Sequence, residues 1–338
     1  MNEKQPILEI KGLKKHFPIK TGFFNKVTGH VRAVDGVDFK VMPGETLGIV
    51  GESGCGKSTT GRTILRLLDP SAGEVLFNGK DLAKLSKEEM RQMRKDIQMV
   101  FQDPYASLNP RKTIRQILLE PLKVHGIGSS REERMKRVEE IIEVVGLRKE
   151  HLDRHPHDFS GGQRQRIGIA RALILKPRVI IADEPVSALD VSIQSQVLNL
   201  LKDLKKEFNL TLIFISHDLS VVRHLCDRIA VMYLGRVVEI ADKKQLFNNP
   251  SHPYTRALLS AVPIANPKAK RERVILKGDL PSPANPPSGC TFHPRCPVAN
   301  ESCKTKIPIL QDIDSGHQVS CHLFAEGKLK ETKEEMIG

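Results

Sequence analysis

Eight residues, GESGCGKS at Gly51–Ser58, combine three glycines, a lysine and a hydroxyl at the spacing G-x-x-x-x-G-K-[ST]. In such a loop backbone N–H groups close around phosphates, Lys57 reaches the β- and γ-phosphates, and Ser58 ligates Mg²⁺. Glu52, Ser53, Gly54, Cys55, Gly56 and Thr59 complete the candidate cradle. The loop needs a strand before it and a helix after it. Thr46–Val50 reads as the strand, and the residues from Lys57 to about Leu68 read as the helix. Cys55 reads as a small filler inside the loop, and a thiol there would make activity sensitive to alkylation.

A second constellation is VIIADEP, Val179–Pro185. An apolar strand delivers Asp183 to a sheet edge, and Glu184 follows at once. Two adjacent carboxylates at a buried strand end are costly unless a cation lies nearby. Side chains alternate along a strand, so the two point differently. Asp183 suits a Mg²⁺ shell and Glu184 suits a general base on an attacking water. Two more polar residues follow apolar strands: Gln102 after IQMVF and His217 after LIFIS. In a parallel sheet both would reach the nucleotide edge. Gln102 would touch Mg²⁺ and the water, and His217 would hold the γ-phosphate.

FSGGQRQR, Phe159–Arg166, precedes apolar residues at helical spacing. Ser160 reads as the N-cap. Gly161 and Gly162 are costly in a first turn, which is tolerable where their amides hold an anion. Arg164 and Arg166 read as surface or subunit-contact residues.

The elements that must position these groups alternate strand with helix, which argues for a mostly parallel sheet. A β-rich part comes first, with strands near residues 7–13 and 34–41. Between them KTGFFNKVTG reads as a loop or hairpin insertion, its Phe23 and Phe24 packed on the neighbouring strand in preference to touching a partner. Residues 113–145 are helical, with Met135, Val138, Ile141, Ile142 and Val145 on one face and Ser130 with Glu133 as a capping box. The histidines of HLDRHPHDF (His151, His155 and His157) lack a thiolate or further carboxylate pattern and do not read as a metal site.

The ordered set of GESGCGKS, Gln102, SGGQ, Asp183-Glu184, SALD (Ser187–Asp190) and His217 resembles the nucleotide-binding subunit of an ATP-binding cassette (ABC) transporter, over about residues 7–250. The resemblance implies an α/β P-loop NTPase (RecA-like) core with an N-terminal antiparallel β subdomain, an inserted α-helical subdomain at about 104–170 and a small C-terminal cysteine-containing extension. It implies ATP and Mg²⁺ as ligands. Ser160, Gly161, Gly162 and Gln163 would cap an ATP held by a facing subunit, and Asp190 would couple the two sites. It also places an aromatic on the adenine, for which Phe17 in LKKHF is the candidate, with core packing as the rival. The family's motif more usually begins with Leu, where Phe159 stands here; the anion site is unaffected.

FQDPYASLNPR (Phe101–Arg111) and PSHPYTRALL (Pro250–Leu259) resemble one branch of that family, the ATP-binding subunits of oligopeptide, dipeptide and nickel importers. STTGRTILRLL after the loop looks closer to the F-type of that branch's two paired subunits. The branch implies a second ATP-binding subunit, a sister or a second copy. It also implies two membrane permeases, a peptide-binding protein outside the membrane, and a place on the cytoplasmic face. Ser251 reads as the cap of a helix that starts at His252-Pro253-Tyr254. The extension, 251–325, carries Cys290, Cys296, Cys303 and Cys321 at C-x5-C-x6-C-x17-C. Four thiolates suit a [4Fe–4S] cluster or zinc, and the wide spacing favours the cluster; the branch also shows such cysteines. Residues 326–338 read as a disordered tail.

The 338 residues are 39% hydrophobic and 28% charged, with net charge +13. That charge would suit nucleic acid or anionic headgroups. The absence of Trp, the three Tyr and the lack of interleaved aromatics speak against nucleic acid. A single cassette and no heptad run speak against the rival reading, a non-transport ABC ATPase acting on DNA or ribosomes, which the basic charge keeps open. No apolar run is long enough for a membrane span, and MNEKQPILEIKG lacks a signal core, which predicts a cytoplasmic chain.

Overall fold

The computed structural model describes residues 5–261, 276 and 278–325; the expected disordered tail lies outside them. The chain forms two compact units. One comprises the residues up to 7, 41–46 and 84–216, and the other 8–40, 47–83 and those from 217 onward.

The strands in chain order are β1 (Leu8–Thr21), β2 (Lys26–Val41), β3 (Thr46–Val50), β4 (Ala72–Phe77), β5 (Lys80–Asp81), β6 (Ile97–Val100), β7 (Val179–Asp183), β8 (Thr211–Ser216), β9 (Arg228–Tyr233), β10 (Arg236–Asp242), β11 (Gln311–Asp314) and β12 (His317–Val319). The helices used below are α1 (Lys57–Ile64), α2 (Ile114–Val124), α3 (Arg131–Val144), α4 (Gly161–Leu173), α5 (Val191–Glu207) and α6 (Pro253–Ser260).

In the first unit β6, β7 and β8 are parallel, with Ile97 opposite Val179 and Val179 opposite Thr211. Every residue of β7 and β8 is buried. This is why VIIAD and TLIFIS read as continuous apolar runs rather than alternating ones. The helices α2, α3 and α4 follow the expected periodicity. On α3, Val138, Ile141 and Ile142 are buried. Its cap is half of the expected box. Ser130 Oγ accepts the Glu133 N–H at 3.1 Å, but the Glu133 carboxylate accepts from the N–H and hydroxyl of Ser129 at 2.7 and 2.8 Å. Those bonds hold its carboxyl down at about 2.

In the second unit an antiparallel sheet has the order β2-β1-β4-β5, and Leu8 faces Phe77. Leu8 and Ile10 point inward while Glu9 and Lys11 do not, the period of a half-buried strand, and a register shift between Lys11 and Lys14 brings Leu13 inward as well. The β1–β2 hairpin extends to a turn closed by Asn25 N–H on the Gly22 carbonyl at 3.2 Å. At its tip Phe23 and Phe24 are 97% and 92% exposed, which corrects the expectation that they pack on a strand. A neighbouring strand is there, but the tip runs beyond it and the two rings meet only edge-on, 5.9 Å apart.

The same unit holds the strand order β11-β12-β10-β9-β3. β3 is parallel to β9, and β10 is antiparallel to both β9 and β12. The C-terminal segment therefore supplies β12 to the edge of β10 and β11 beyond it. Buried Glu239 on β10 accepts from Ser251 and His252 N–H at 2.7 and 2.8 Å, and its other contact is His317 Nε2 at 2.7 Å. The cap of α6 is His252, not Ser251: its Nδ1 accepts the Tyr254 N–H at 3.1 Å. Ser251 gives its own N–H to Glu239 and lies one residue too early. Pro253 takes the first helical position, where a missing N–H costs nothing.

Candidate active site

The phosphate loop joins β3 to α1 within the second unit. Gly51 has φ 155°, and a Cβ there would lie 2.2 Å from the Met232 carbonyl oxygen. Gly56 has φ 104°, and a Cβ there would lie 2.0 Å from the Ala33 carbonyl oxygen. Only glycine fits either place. Gly56 caps α1 in a left-handed conformation with no side-chain acceptor, so the first-turn amides form the open, partly positive end that anions favour. Lys57 is buried and donates to the carbonyls of Gly51 and Glu52 at 2.9 and 3.0 Å. Cys55 is buried below the loop, and burial pushes its thiol up. Ser53 and Gly54 are exposed, and Ser58 and Thr59 are half-buried in the first turn.

The carboxylates stand in the first unit. Asp183 ends β7 and is fully buried. Glu184 leaves the strand through a left-handed turn with φ 44°. A non-glycine residue held there costs about 1–3 kcal/mol, a strain typical of functional positions. The turn is fastened at both ends: Glu184 N–H donates to the Ile215 carbonyl at 3.0 Å, and the Glu184 carbonyl accepts from the Ser187 hydroxyl at 3.0 Å. It sends the Glu184 side chain to Gln102, whose Nε2 donates to Oε2 at 3.0 Å. These two residues, 82 positions apart, are brought together as their chemistry requires. His217 directly follows β8 and is exposed.

The signature turn lies in the same unit as the carboxylates. Ser160 caps α4: its Oγ accepts the Gln163 N–H at 3.4 Å, and Gln163 Oε1 accepts the Ser160 N–H at 3.0 Å. Gly162 has a packing reason as well as the expected anion reason, since a Cβ there would lie 2.3 Å from Ile193 Cγ2 on α5. The arginines after it are not free surface groups. Arg164 is buried, donates to the carbonyls of Pro156 and His157 at 2.7 and 3.2 Å, and lays its guanidinium 3.8 Å from the Tyr105 ring centroid. Arg166 donates to the Val145 carbonyl and to Gln196 at 2.9 and 3.2 Å. Carbonyls and a ring face satisfy the guanidinium donors, which makes the burial tolerable. Asp190 is exposed at the cap position of α5 and makes no capping bond. Phe17 lies inside β1, half-buried, with the Lys15 ammonium 5.1 Å from its ring centroid.

The cysteine reading is corrected. Among the described residues no three His, Cys, Asp or Glu form a group that could hold a metal ion, and Cys290, Cys296, Cys303 and Cys321 are free thiols. Burial pushes the Cys296 thiol up to about 11 and the Cys321 thiol up to about 12, and raises Cys290 too. The iron–sulfur assignment, and zinc with it, is withdrawn.

Two residues in the extension were not singled out as chemistry. The Tyr254 hydroxyl accepts the Glu52 N–H at 3.0 Å, and the Arg295 guanidinium grips the Glu52 carboxylate at 2.9 and 3.4 Å. The partners are 202 and 243 positions apart, so no local pattern announces them.

Residues 34–187 match the family model for ABC transporters, and residues 238–303 match that for the C-terminal region of oligopeptide/dipeptide transporters. The oligopeptide transport ATP-binding protein AppF of Bacillus subtilis is 59% identical over 95% of this chain and 98% of its own length. The chain belongs to the ABC transporter ATP-binding family. Solved members of the ABC cassette fold agree. A dimeric ATP-binding cassette in a post-hydrolysis state with ADP and phosphate is 33% identical and has a TM-score of 0.62, over 70% of this chain and 98% of that one. The cbiO1 subunit of a Clostridium perfringens ABC transporter complex is 30% identical with a TM-score of 0.61, over 72% of this chain and 91% of that one. The P-loop NTPase core and ATP hydrolysis expected from the motifs therefore stand.

Proposed function

We propose that this ABC ATPase energises import of dipeptides or oligopeptides across the cytoplasmic membrane. The observation that carries the reading is the span of the likeness: 59% identity to an oligopeptide transport ATP-binding protein runs through cassette and extension alike.

In this reading residues 1–250 are the nucleotide-binding domain, with the helical part at about 104–170, and 251–325 are the importer-type extension. The amides from Gly51 to Thr59 and the Lys57 ammonium bind the phosphates, exchanging the loop carbonyls now on Lys57 for phosphate oxygens. Phe17 offers its ring to the adenine. The hydroxyl of Ser58, the carboxylate of Asp183 and the side-chain carbonyl of Gln102 form an all-oxygen set, the donor chemistry that fits Mg²⁺. Mg²⁺ held there would neutralise charge on the β- and γ-phosphates. Glu184, steered by Gln102, takes the proton of the attacking water, and His217 holds the γ-phosphate. Ser160, Gly161, Gly162, Gln163 and Asp190 serve the ATP of a facing subunit, a sister chain in preference to a second copy.

No helix of the described residues is long and apolar enough to cross a membrane. Two permeases carry the solute, the chain docks on them from the cytoplasmic face, and a peptide-binding protein outside delivers cargo. The test is ATPase activity of the chain assembled with its native permeases in lipid, with Glu184→Gln as the blank. The binding protein is presented loaded with short peptides, longer peptides or nickel. Stimulation by a peptide class supports the reading. Hydrolysis that responds only to nickel, or to none of them, removes the peptide assignment and leaves the ATPase.

A further inference from the structure

Glu52 is an anomaly in a phosphate cradle. A carboxylate beside a polyphosphate repels it, and the loop has no need of an acid at that place. Every polar part of this residue is engaged. Its N–H is given to the Tyr254 hydroxyl, its carbonyl accepts from Lys57 Nζ at 3.0 Å, and its carboxylate is held by Arg295. Tyr254 and Arg295 both belong to the segment after residue 250. Neither is loosely placed. Tyr254 is fully buried, and burial keeps its hydroxyl protonated. Its ring stands 4.7 Å from Tyr233 and 5.4 Å from Phe292, centroid to centroid. Phe292 is buried three residues before Arg295, whose side chain is only 9% exposed. The two-point grip of a guanidinium on a carboxylate fixes direction as well as distance.

The geometry points to Arg295 and Tyr254 as positioning residues for ATP: the C-terminal extension neutralises Glu52 and fixes the peptide that holds Lys57, and so sets the affinity of the phosphate loop. The extension thereby acts on the nucleotide through one loop residue, without touching the reacting atoms. Removing Arg295 takes away the counter-charge of Glu52 and leaves an uncompensated, half-buried carboxylate in the phosphate loop. Removing the Glu52 charge as well cancels that repulsion. Contacting residues couple in stability too, so the opposition is read in MgATP affinity at an equal thermal midpoint, which a loss of packing alone would not produce.

The inference rests on the ATPase reading, and its test keeps the two apart. Equilibrium binding of MgATP to the full chain is measured for wild type, Arg295→Met, Glu52→Gln and the double variant, with the thermal midpoint of each. Wild type must bind MgATP; if it does not, the ATPase reading itself fails. Given that it binds, Arg295→Met is expected to weaken binding roughly three- to tenfold, with kcat in the assembled transporter within about twofold once ATP saturates. The double variant recovers most of the loss. Tyr254→Phe, which keeps the ring and loses the acceptor, weakens binding by a smaller factor. Unchanged affinity in Arg295→Met overturns the inference. So does a double variant as weak as or weaker than Arg295→Met at an equal thermal midpoint. Should Arg295→Met fail to fold, Arg295→Lys at raised and lowered salt decides in its place. It keeps a charge but not the two-point grip, and affinity equal to wild type at both salts is the contrary result.

Discussion

The side-chain amide of Gln102 donates to Oε2 of Glu184 across 3.0 Å, and Glu184 meets it from a strained left-handed turn. A hydrogen bond to one carboxylate oxygen fixes the orientation of the group. The strain is held by the Ile215 carbonyl behind and the Ser187 hydroxyl ahead. On the role proposed for Glu184, Glu184→Gln keeps this frame and removes the base, so MgATP should bind as before while hydrolysis falls by about 10²–10⁴-fold. Gln102→Ala keeps the base and releases its orientation, so kcat should fall by roughly tenfold with little change in ATP affinity. Single-turnover hydrolysis with a parallel binding titration reads both. Equal losses of binding and rate in Glu184→Gln would place the residue in substrate binding instead.

Gly162 separates two demands that coincide at the signature turn. Its bare backbone suits an anion, and its missing Cβ leaves room for Ile193, which would otherwise stand 2.3 Å away. Gly162→Ala alone is expected to lower stability by roughly 1–3 kcal/mol through overpacking. Adding Ile193→Ala removes the obstructing methyl and should return much of that stability. Denaturant midpoints of the single and double variants measure it. ATPase activity of the assembled transporter then shows whether a Cβ at this turn matters beyond packing. No recovery in the double variant would mean that packing against α5 is not the constraint.

Much of this arrangement is legible in the chain because short-range physics dictates it. VIIAD is apolar throughout, so it reads as a strand covered on both faces, and its terminal Asp183 must sit at an edge. SGGQ reads as a helix start because serine is a favoured N-cap before apolar residues at helical spacing. What could not be read is what tertiary contact decides. QDID and HQV are too short and too polar to declare themselves strands; they become β11 and β12 as β12 pairs along β10 and β11 pairs along β12. Arg164 has the composition of a surface residue, and its burial follows from carbonyls at Pro156 and His157 that turn toward it. The spacing of the four cysteines suggested ligands, whereas among the described residues no three metal-ligating side chains come together. His252-Pro253-Tyr254 marked a helix start, but its tyrosine meets the phosphate loop 202 residues back, beyond any local signal.

His252 gives the fold a pH dependence whose sign can be worked out. It is fully buried, and burial drives its imidazole down to about 4 against the pull of nearby Glu239. The neutral ring is what its role demands, because Nδ1 must accept the Tyr254 N–H. Unfolded, the same ring titrates near 6.5. Between the two values the unfolded chain carries a proton that the folded chain does not, so stability rises with pH across that window. The contribution is complete above about 6.5 and is lost as pH falls toward 4. Its ceiling is on the order of 3 kcal/mol for a shift of that size. His252→Asn keeps a capping acceptor and removes the titration. Urea unfolding at pH 7.5, 6 and 5 should therefore show wild type losing more stability than the variant on acidification. Carboxylates elsewhere act on both chains alike, so the difference isolates His252. Parallel losses would mean that the buried ring takes up its proton without cost, and that the cap does not depend on a neutral histidine.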